Sequence, residues 1–365
     1  QGLKKFADLL GITIDILTGS TRTKDRRVLH ARLENGNLKI LVGTHALFED
    51  KVQFDNLGLC IIDEQHRFGV EQRSKLWKKN TNDLYPHILV MTATPIPRTL
   101  AMTLYGDLDV SVIDELPAGR KPIKTVHRYE AQRLRVFGFL KEQIELGRQV
   151  YIVYPLVEES ETLEYKNVMD GYESIQRAFP DHHLSIVHGQ MSSVDKDYEM
   201  QRFKKGETQI MVATTVIEVG VDVPNATVIV IENAERFGLS QLHQLRGRVG
   251  RGGNQSYCIL MTEYKISKEG RTRIDTMVKT NNGFEIADVD LKLRGPGNMM
   301  GTQQSGLMNL QIADLAKDSK ILQEARKMAQ EIIEEDPELT SLENNKMKDF
   351  LNTDQRTQTQ WSRIS

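Results

Sequence analysis

The sequence predicts an α/β protein built from two doubly wound parallel sheets. Short apolar runs alternate with helical patterns along most of the chain, and the runs Leu59–Ile62 and Ile88–Met91 contain almost no polar residues. Strands without polar alternation are typical of parallel sheets whose two faces are both covered by helices. Such sheets bind ligands at the carboxyl ends of their strands, so functional residues are expected directly after these runs.

The composition is that of an ordinary globular chain. Of the 365 residues, 39% are hydrophobic and 27% are charged, and the formal net charge is −2. This balance neither supports nor excludes DNA, because a local stripe of Lys and Arg attracts phosphate whatever the net charge. Cys60 and Cys258 lie in separate apolar runs, which favours buried thiols over metal ligands. No apolar run approaches the length of a membrane span and no leader peptide is visible, so we expect a cytoplasmic protein without membrane contacts.

The elements of the first unit follow from its periodicity. Leu3, Phe6 and Leu9 share one face of a helix that starts at the beginning of the chain. Because Gln1 opens this helix without a cap, we expect the chain to be a piece of a longer protein. The remaining patterns predict strands at Ile12–Leu17, Leu38–Val42, Leu57–Ile62 and His87–Met91, and helices at Thr23–Asn35, Phe68–Lys79 and Arg98–Tyr105.

A second alternating unit follows the stretch Leu116–Pro122, whose prolines and glycine predict a linker. We therefore place the first domain at residues 1–117 and the second at residues 118–264. The patterns of the second domain predict strands at Gln149–Tyr154, Leu184–Val187, Gln209–Val212, Ala226–Ile231 and Ser256–Met261, and helices at Leu134–Leu146, Gly171–Phe179, Val194–Lys204 and Ser240–Arg246.

The last part of the chain has a helical pattern. Helices are predicted at Ser267–Lys279 and Gly283–Leu293, and a longer one at Ile312–Ile333. A glycine-rich loop, Arg294–Gly306, separates the hairpin from the long helix. We place a helical hairpin with this loop at residues 265–335 and a polar, partly disordered tail at residues 336–365.

Two carboxylates, Asp63 and Glu64, come directly after an apolar strand. At that edge of a sheet one carboxylate can hold Mg²⁺ through water, and the other can orient an attacking water. Neighbouring strand residues point to opposite faces, which gives the two groups different roles. The alternative is a strand that ends in solvent with two ordinary acids.

A second polar motif, Thr92-Ala93-Thr94, ends the next apolar strand and is followed by a proline. Its hydroxyls can hydrogen-bond to the acidic pair and so relate the state of a nucleotide to the rest of the protein. The alternative is that Thr94 simply caps the following helix.

Two further motifs lie in the second domain. The segment Thr214–Asp222 follows a predicted strand, and the segment Gln244–Gly252 contains three arginines within six residues, spaced by glycines. Glycines allow a close approach of the backbone, and arginines offer planar pairs of donors to phosphate oxygens. The alternative is a solvated basic loop or a general nucleic-acid patch.

Together, these four segments resemble the motor of superfamily 2 helicases in order and in spacing. Asp63–His66 is similar to motif II, Thr92–Thr94 to motif III, Thr214–Asp222 to motif V and Gln244–Arg251 to motif VI. The resemblance implies two RecA-like domains, the first of them incomplete, followed by a helical hairpin and a hook.

The residues within and around these motifs resemble those of the RecG family in particular, over nearly the whole chain. Gln65 and His66 favour RecG over the related transcription-repair coupling factor, which usually has Glu-Gln at these positions. Two departures stand out: no Gly-x-x-x-x-Gly-Lys-Ser/Thr P-loop occurs, and Asn298-Met299-Met300 replaces the usual acid and aromatics of the hook. The segments that carry the likeness are Asp63–Arg73, Met91–Met102, Gly106–Pro117 and Arg294–Gly306.

The resemblance implies a site for ATP and Mg²⁺. Asp63 would contact Mg²⁺ through water, and Glu64 would be the general base. Arg248 and Arg251 would be arginine fingers that reach the phosphates from the second domain. The supporting residues implied are Gln65 and His66 for sensing the γ-phosphate, Thr92 and Thr94 for coupling, Gly220 and Asp222 for bordering the nucleotide, and Gln244 for holding the fingers.

The resemblance also implies contacts with DNA and a coupling hook. Arg294 and Gln304 would couple the motor to DNA movement, although Arg294 can also be an ordinary loop ion pair. Four nearby cations form either a basic patch or a solvated helix face: Arg22, Lys24, Arg26 and Arg27. The residues implied to meet the phosphate backbone are Gly19, Ser20, Thr44, His45, Thr214 and Thr215.

The implied function is that of an ATP-dependent double-stranded DNA translocase. Such a helicase remodels stalled replication forks and branch-migrates four-way junctions, so branched DNA is the expected partner. An upstream P-loop and wedge domain of the same protein are also implied, and the fragment by itself is expected to be inactive or weakly active. The alternatives are a transcription-repair coupling translocase and a DNA-binding scaffold that does not hydrolyse ATP.

Overall fold

The computed structural model of the chain describes residues 2–64, 79–80, 84–93, 111–113, 115, 117, 119–155, 161–214, 222–294 and 318–353. The described residues up to Ala93 and from Ile332 onward belong to one compact unit. Those between residues 111 and 331 belong to a second unit. In the described ranges, the helices are too short or too polar to span a lipid bilayer.

The first unit contains two pairs of parallel strands. The strands β1 and β2 pair from Ile14↔Ile40 to Leu17↔Gly43, and β3 and β4 pair from Leu59↔His87 to Asp63↔Met91. All four strands confirm the predicted runs, with ends that differ by a residue or two. The elements are α1 (Gly2–Leu9), β1 (Ile14–Leu17), α2 (Thr23–Glu34), β2 (Ile40–Gly43), β3 (Leu59–Asp63) and β4 (His87–Met91).

A small apolar core explains why α2 forms where it does. Leu29 and Leu33 are spaced by four residues, so both lie on one face of the helix. They are buried together with Leu17 at the end of β1 and Val52 in the loop beyond β2. The predicted helices at Phe68–Lys79 and Arg98–Tyr105 lie, apart from Lys79 itself, outside the described residues.

The second unit is built on a six-stranded sheet in which every pairing is parallel, in the order β5-β10-β9-β6-β8-β7. After β6 the chain builds one side of the sheet and then returns to build the other side. The reversal point lies between β6 and β9. The elements are β5 (Lys124–Tyr129), α3 (Arg133–Glu145), β6 (Gln149–Val153), α4 (Glu161–Ala178), β7 (Leu184–Val187), α5 (Ser193–Lys204), β8 (Ile210–Ala213), β9 (Ala226–Ile231), α6 (Leu239–Arg246) and β10 (Tyr257–Thr262).

Both faces of this sheet are buried, as the continuous apolar runs predicted. Alternate residues of β6 enter two different cores. On one face Tyr151 packs against Phe203 of α5, with ring centroids 4.9 Å apart. On the other face Ile152 joins a core that includes Phe179, whose ring lies 5.5 Å from that of Phe137. The doubly wound architecture is therefore confirmed.

Two elements of the second unit differ from the predictions. Strand β5 was not predicted, because its sequence Lys-Thr-Val-His-Arg-Tyr is mainly polar. It is the edge strand beside β10, and its residues after the exposed Lys124 are half-buried. Helix α4 begins at Glu161, well before the predicted start at Gly171. A Cβ at Gly171 would lie 2.4 Å from the Tyr154 ring, so this glycine serves close packing inside the helix and does not mark its end.

The hairpin that follows packs within the second unit. Helices α7 (Lys268–Lys279) and α8 (Gly283–Arg294) contact each other, and they also contact α6 and β5. Ser267 caps α7 by accepting a hydrogen bond from the Gly270 amide at 3.0 Å. Further on, α9 spans Ser319–Glu335 and α10 spans Asn345–Thr353. The helix α10 is a finding that the polar composition of the tail did not predict.

The two cysteines differ in burial. Cys258 in β10 is fully buried, as predicted, and burial raises the pKa of its thiol to about 12. Cys60 in β3 is only half-buried, so that prediction was wrong in degree. No group of three or more His, Cys, Asp or Glu that could hold a metal occurs among the residues the structure describes.

The aromatic contact between α5 and β6 should be a main source of stability in the second unit. Phe203→Ala is expected to lower the free energy of unfolding by about 3–5 kcal/mol, because it leaves a cavity under Tyr151. Urea unfolding followed by circular dichroism measures this change. Val194→Ala, on the exposed face of the same helix, should change it by less than about 0.5 kcal/mol. Equal losses in both variants would show that the buried contact with Tyr151 makes no specific contribution to stability.

Candidate active site

The acidic pair of the first unit lies at the carboxyl end of β3. Asp63 is the last residue of the strand and is exposed, and Glu64 follows it half-buried. The register Asp63↔Met91 brings Thr92, directly after β4, to the same edge of the sheet. The predicted motifs II and III are therefore neighbours in the fold. Gln65, His66 and Thr94 lie outside the described residues.

The backbone at Glu64 is unusual. Its φ is +52°, in the left-handed region that costs a side-chain-bearing residue about 1–2 kcal/mol. This turn takes Glu64 out of the strand alternation, so its carboxylate does not simply point opposite to that of Asp63. Non-glycine residues held in this conformation cluster at active sites and ligand clamps. The geometry favours a functional acid over a strand that merely ends in solvent.

The donor set at this edge fits magnesium held together with a nucleotide. Mg²⁺ usually keeps several waters and takes only one or two carboxylates, with phosphate oxygens completing the shell. Asp63 is an exposed carboxylate of this kind, and the described residues around it do not form a full protein cage. Asp63 could therefore hold the ion only in company with phosphates and water.

The predicted DNA-contact residues of the first unit follow two neighbouring strands. Gly19 and Ser20 come after β1, and Thr44 and His45 come after β2. All four are exposed. Among the described residues, no hydrogen bond is donated by the amides of Gly19 and Ser20. These amides are suited to bind a phosphate oxygen.

The basic residues near these loops do not act alike. Arg22, Lys24 and Arg27 are exposed. Arg26 is instead bound to Glu49 and to backbone carbonyls, so its prediction as part of a free basic patch was wrong. The cause is its position one helical turn behind the loop, which sequence spacing does not reveal.

The arginine loop of the second unit follows α6. The Arg251 Nη1 lies 3.6 Å from the Asp222 carboxylate, and the Arg251 Nε donates to the Gly247 carbonyl at 3.2 Å. Arg248 is half-buried, and so is Gln244 on α6. The structure thus brings together residues of the predicted motifs V and VI. Gly220 lies outside the described residues.

Two glycines give the arginine loop its course. Gly250 has a φ of +78°, and a Cβ there would lie 2.9 Å from the Ile123 side chain. A Cβ at Gly252 would lie 2.7 Å from the Pro224 carbonyl oxygen. The loop is therefore pressed against the segments before β5 and before β9. This contact fixes the backbone from which Arg248 and Arg251 extend.

Sequence reasoning missed the residue beneath the arginine loop. Tyr151 in β6 is buried, close enough to Arg248, Arg251 and Asp222 to feel their charges. Burial raises the pKa of Tyr151 above its ordinary value, although the two guanidiniums act in the opposite direction. The phenol therefore stays neutral under the arginines. Tyr151 lies within an apolar run, and nothing in that run indicates that its side chain lies beneath the arginine loop.

Arg246 has a different function from its two neighbours in the motif. It is buried and donates hydrogen bonds to the carbonyls of Met277 and Thr280, each at 2.9 Å, and to His243 Nδ1 at 3.0 Å. It therefore ties α6 to the end of α7. Of the three arginines in the motif, Arg246 is therefore committed to the fold.

Side chains of the protein itself occupy the space at the carboxyl ends of β6 and β9. Arg133 makes a bidentate ion pair with Glu232, at 2.6 and 2.9 Å, and the Glu232 side chain is only 5% exposed. Tyr154 lies beside this pair, and burial raises the pKa of its phenol. The reversal point of the sheet is thus occupied by protein side chains, and the candidate ligand groups lie instead in the arginine loop.

The remaining predicted residues have mixed outcomes. Thr214 is fully buried after β8, and its hydroxyl has no hydrogen-bond partner among the described residues. The structure does not present this hydroxyl to solvent, and its contact with DNA stays a prediction. Arg294 is the last residue of α8, and Thr215 and Gln304 lie outside the described residues.

Three family models match the chain, in the order that the motifs follow. The model "DEAD/DEAH box helicase" matches residues 1–103, and "Helicase conserved C-terminal domain" matches residues 135–253. The model "ATP-dependent DNA helicase RecG, domain 3, C-terminal" matches residues 280–365.

Individual proteins are similar along most of the chain. Two bacterial proteins called ATP-dependent DNA helicase RecG, from Synechocystis and from Aquifex aeolicus, are 51% and 49% identical over 95% of this chain. The chain covers 42% and 44% of them, so it spans less than half of their length. A solved structure of RecG bound to a three-way DNA junction is similar with a TM-score of 0.65 and 41% identity, over 88% of this chain and 41% of that chain.

The course of the arginine loop should depend on Gly250. Gly250→Ala is expected to destabilise the second unit by about 1–2 kcal/mol, since alanine disfavours a positive φ, and by more if Ile123 cannot yield. Urea unfolding measures this effect. Gly253→Ala is the matched control, because no atom lies within 4 Å of its added Cβ. If both variants unfold at the same urea concentration, Gly250 does not constrain the loop.

The second unit should lose stability when the pH falls from 7 to 5. Burial, and then the charge of Arg246, lower the pKa of His243 to about 4 from an ordinary value of 6.5. Below pH 6.5 the unfolded chain takes up a proton that the folded chain does not, so this contribution is complete above pH 6.5 and decreases toward pH 4. Linkage limits the loss at pH 5 to about 2 kcal/mol.

Urea midpoints at pH 7, 6 and 5 test this dependence on His243. In His243→Gln, the part of the slope between pH 6.5 and 5 that belongs to this residue should disappear. An unchanged slope in the variant would mean that His243 titrates normally in the folded chain.

Proposed function

We propose that this chain, which belongs to the RecG family of superfamily 2 helicases, supplies most of the motor of an ATP-dependent translocase on branched double-stranded DNA. The whole protein would remodel stalled forks and branch-migrate four-way junctions. It would join this chain to a P-loop and a wedge domain elsewhere in the same protein. The junction-bound RecG structure, 41% identical to this chain, supports branched DNA as the partner.

The observation that carries the proposal is the edge of the first sheet. Asp63 and Glu64 end one parallel strand, and Thr92 follows the strand paired with it. An acid pair beside a hydroxyl, with one acid in a strained backbone conformation, fits a site that positions a nucleophilic water against a phosphate. Phosphoryl transfer requires mainly such positioning, with charge stabilisation.

Each acid has its own step in the proposed reaction. Glu64 would orient the water that attacks the γ-phosphorus of ATP and would accept its proton. The bond between the γ-phosphorus and the bridging oxygen would break, so that ADP and phosphate are the products. Asp63 would hold Mg²⁺ through water. The bound ion would neutralise charge on the phosphate oxygens. Thr92 would hydrogen-bond to this group of residues and respond when the phosphate leaves.

The arginines of the second unit would supply charge stabilisation. Arg251 is in a loose ion pair with Asp222, whose side chain is 61% exposed. Ion pairs of this exposure contribute about 0–1 kcal/mol, so Arg251 can exchange Asp222 for a phosphate at little cost. Arg248 extends from the same glycine-rich loop. Both would donate to the γ-phosphate as it develops charge, with Gln244 supporting the loop.

DNA would bind through the backbone phosphates at the loops after β1 and β2. Gly19 and Ser20 offer backbone amides, and Thr44 and His45 offer exposed polar side chains. Contacts of this type carry no sequence information, as a motor that moves along any duplex requires. We propose that Arg294, Gln304 and Thr215 also act in coupling and DNA contact, as the resemblance implies.

The proposed base is tested with Glu64→Gln in the full-length protein. The amide cannot accept the proton, so kcat for DNA-stimulated ATP hydrolysis should fall at least about 100-fold while the affinity for a fork substrate stays within about twofold. Phosphate release and fluorescence anisotropy measure the two quantities.

Glu34→Gln, at the exposed end of α2, is the matched control and should leave both quantities unchanged. Turnover near the original level in Glu64→Gln would show that another group is the base. Loss of DNA binding as well would show that Glu64 mainly holds the fold.

A further inference from the structure

The side chain of Arg26 lies behind the loop that follows β1 and binds its carbonyl groups. The Arg26 Nη2 donates to the carbonyls of Thr18 and Gly19 at 2.8 and 3.3 Å, and Nε donates to the carbonyl of Thr21 at 3.1 Å. The remaining nitrogen, Nη1, donates to both carboxylate oxygens of Glu49 at 2.9 Å. All three guanidinium nitrogens are therefore engaged within the protein.

Glu49 belongs to the second of the two exposed loops. It directly follows the short helical turn His45–Phe48, which comes after β2. Its carbonyl accepts hydrogen bonds from the buried Lys79 ammonium and from the Val52 amide. The Arg26 guanidinium holds the pKa of the Glu49 carboxyl below its ordinary value, so this acid is charged at neutral pH. Arg26 thus joins the loop after β1 to a fixed point behind the loop after β2.

The same two loops also meet at the strand ends. The Thr44 amide donates to the Leu17 carbonyl at 3.3 Å. A Cβ at Gly43 would lie 2.2 Å from that carbonyl oxygen, so only glycine fits there. The loops are therefore connected at two points, at the strand ends and through the Arg26–Glu49 pair.

This arrangement sets the polarity of the loop after β1. Its carbonyls, which would repel a phosphate, face the Arg26 guanidinium. Within the described chain, the amides of Gly19 and Ser20 donate to no protein acceptor. The Thr18 and Ser20 hydroxyls lie 3.0 Å apart and add local order. The loop thus keeps amide donors available for an anion, while the carbonyls of Thr18, Gly19 and Thr21 are satisfied by Arg26.

We infer that Arg26 and Glu49 are positioning residues, which hold the two loops at a fixed spacing for consecutive DNA phosphates. The inference rests on the proposed function, because it takes these loops as the phosphate contacts. Arg26 acts through the loops and does not itself touch DNA. Its side chain is 20% exposed and has no nitrogen to spare, whereas Arg22, Lys24 and Arg27 nearby are exposed.

The test uses the full-length protein and a synthetic fork, with affinity measured by anisotropy over a range of salt concentrations. Glu49→Gln should weaken binding about tenfold, because charged hydrogen bonds are lost and the loops separate. Simple electrostatics predicts the opposite, since this change removes a negative charge. Arg26→Lys keeps the charge but cannot bridge three carbonyls and a carboxylate, so it should weaken binding to a similar extent.

The salt dependence separates positioning from direct contact. Each phosphate neutralised by a cation contributes about 0.9 to the slope of log Kd against log salt concentration. Arg26→Gln should lower the affinity about tenfold and leave this slope unchanged. A slope reduced by about 0.9 in Arg26→Gln, or full affinity in Arg26→Lys or Glu49→Gln, would overturn the inference.

The control is a second ion pair on the same helix. Arg32 of α2 pairs with Asp15 of β1, with similar partial exposure, but contacts neither loop. Arg32→Gln should leave the affinity and the slope unchanged, and equal weakening there would reduce the effect of Arg26 to general destabilisation.

A double variant, Arg26→Glu with Glu49→Arg, restores the ion pair with the charges exchanged. Its affinity for the fork should stay low, because the loop carbonyls lose their donor. Recovered affinity would mean that the ion pair alone positions the loops.

The outcomes also distinguish this inference from the proposed function. If the unmodified protein does not bind forks, or hydrolyses ATP without any response to DNA, the proposed function fails. If it binds forks and the joint change Thr44→Ala with His45→Ala weakens binding while Glu49→Gln does not, the loops contact DNA and only the positioning inference fails.

Discussion

Parallel pairing of strands is the constraint on which the rest of this structure depends. Because β3 and β4 run in the same direction and stay in register, their carboxyl ends meet at one edge and bring Asp63, Glu64 and Thr92 together. The same constraint brings the loops after β1 and β2 together in the first unit. Residues that are distant in sequence become neighbours without a dedicated binding element. The helices and cores keep these strands aligned.

The arginines of this chain are of two kinds, those bonded within the fold and those with weaker partners. Net charge alone does not distinguish them. Arg26, Arg133 and Arg246 are committed to carboxylates or carbonyls and hold segments of backbone together. Arg251 has a loose ion pair with Asp222 and one hydrogen bond to the Gly247 carbonyl, and it extends with Arg248 from a loop shaped by glycines. A committed guanidinium stabilises a geometry, whereas a loosely paired one can exchange its partner for a phosphate. In the proposed function, this difference is the reason that Arg251 is assigned to phosphate binding.

The sequence predicted the apolar strands well, including β7 at one edge of the sheet, and missed the polar strand β5 at the other edge. Strands β6, β8 and β9 are apolar because both faces are covered, so their composition identifies them. Strand β5 satisfies polar side chains by hydrogen bonds to Thr262 and to Arg271 of α7, and no apolar run marks it. Gly171 suggested a helix end because glycine disfavours helices, yet here it allows contact with Tyr154. Local sequence patterns therefore predict a strand reliably where both faces of that strand are buried in an apolar core.

The amino-acid sequence by itself determined the fold class, the order of the motifs and the identities of the acid pair and of the proposed arginine fingers. These features depend on residue types that lie close together in the sequence. Their chemistry can therefore be inferred without knowing which distant segments they meet. The tertiary structure decided that Arg26 is a bridge and not a free cation, that Arg246 is structural, and that Tyr151 lies beneath Arg248 and Arg251. These facts depend on which distant atoms come within hydrogen-bonding or Coulomb range. That proximity is set by strand order and register, which no local pattern contains.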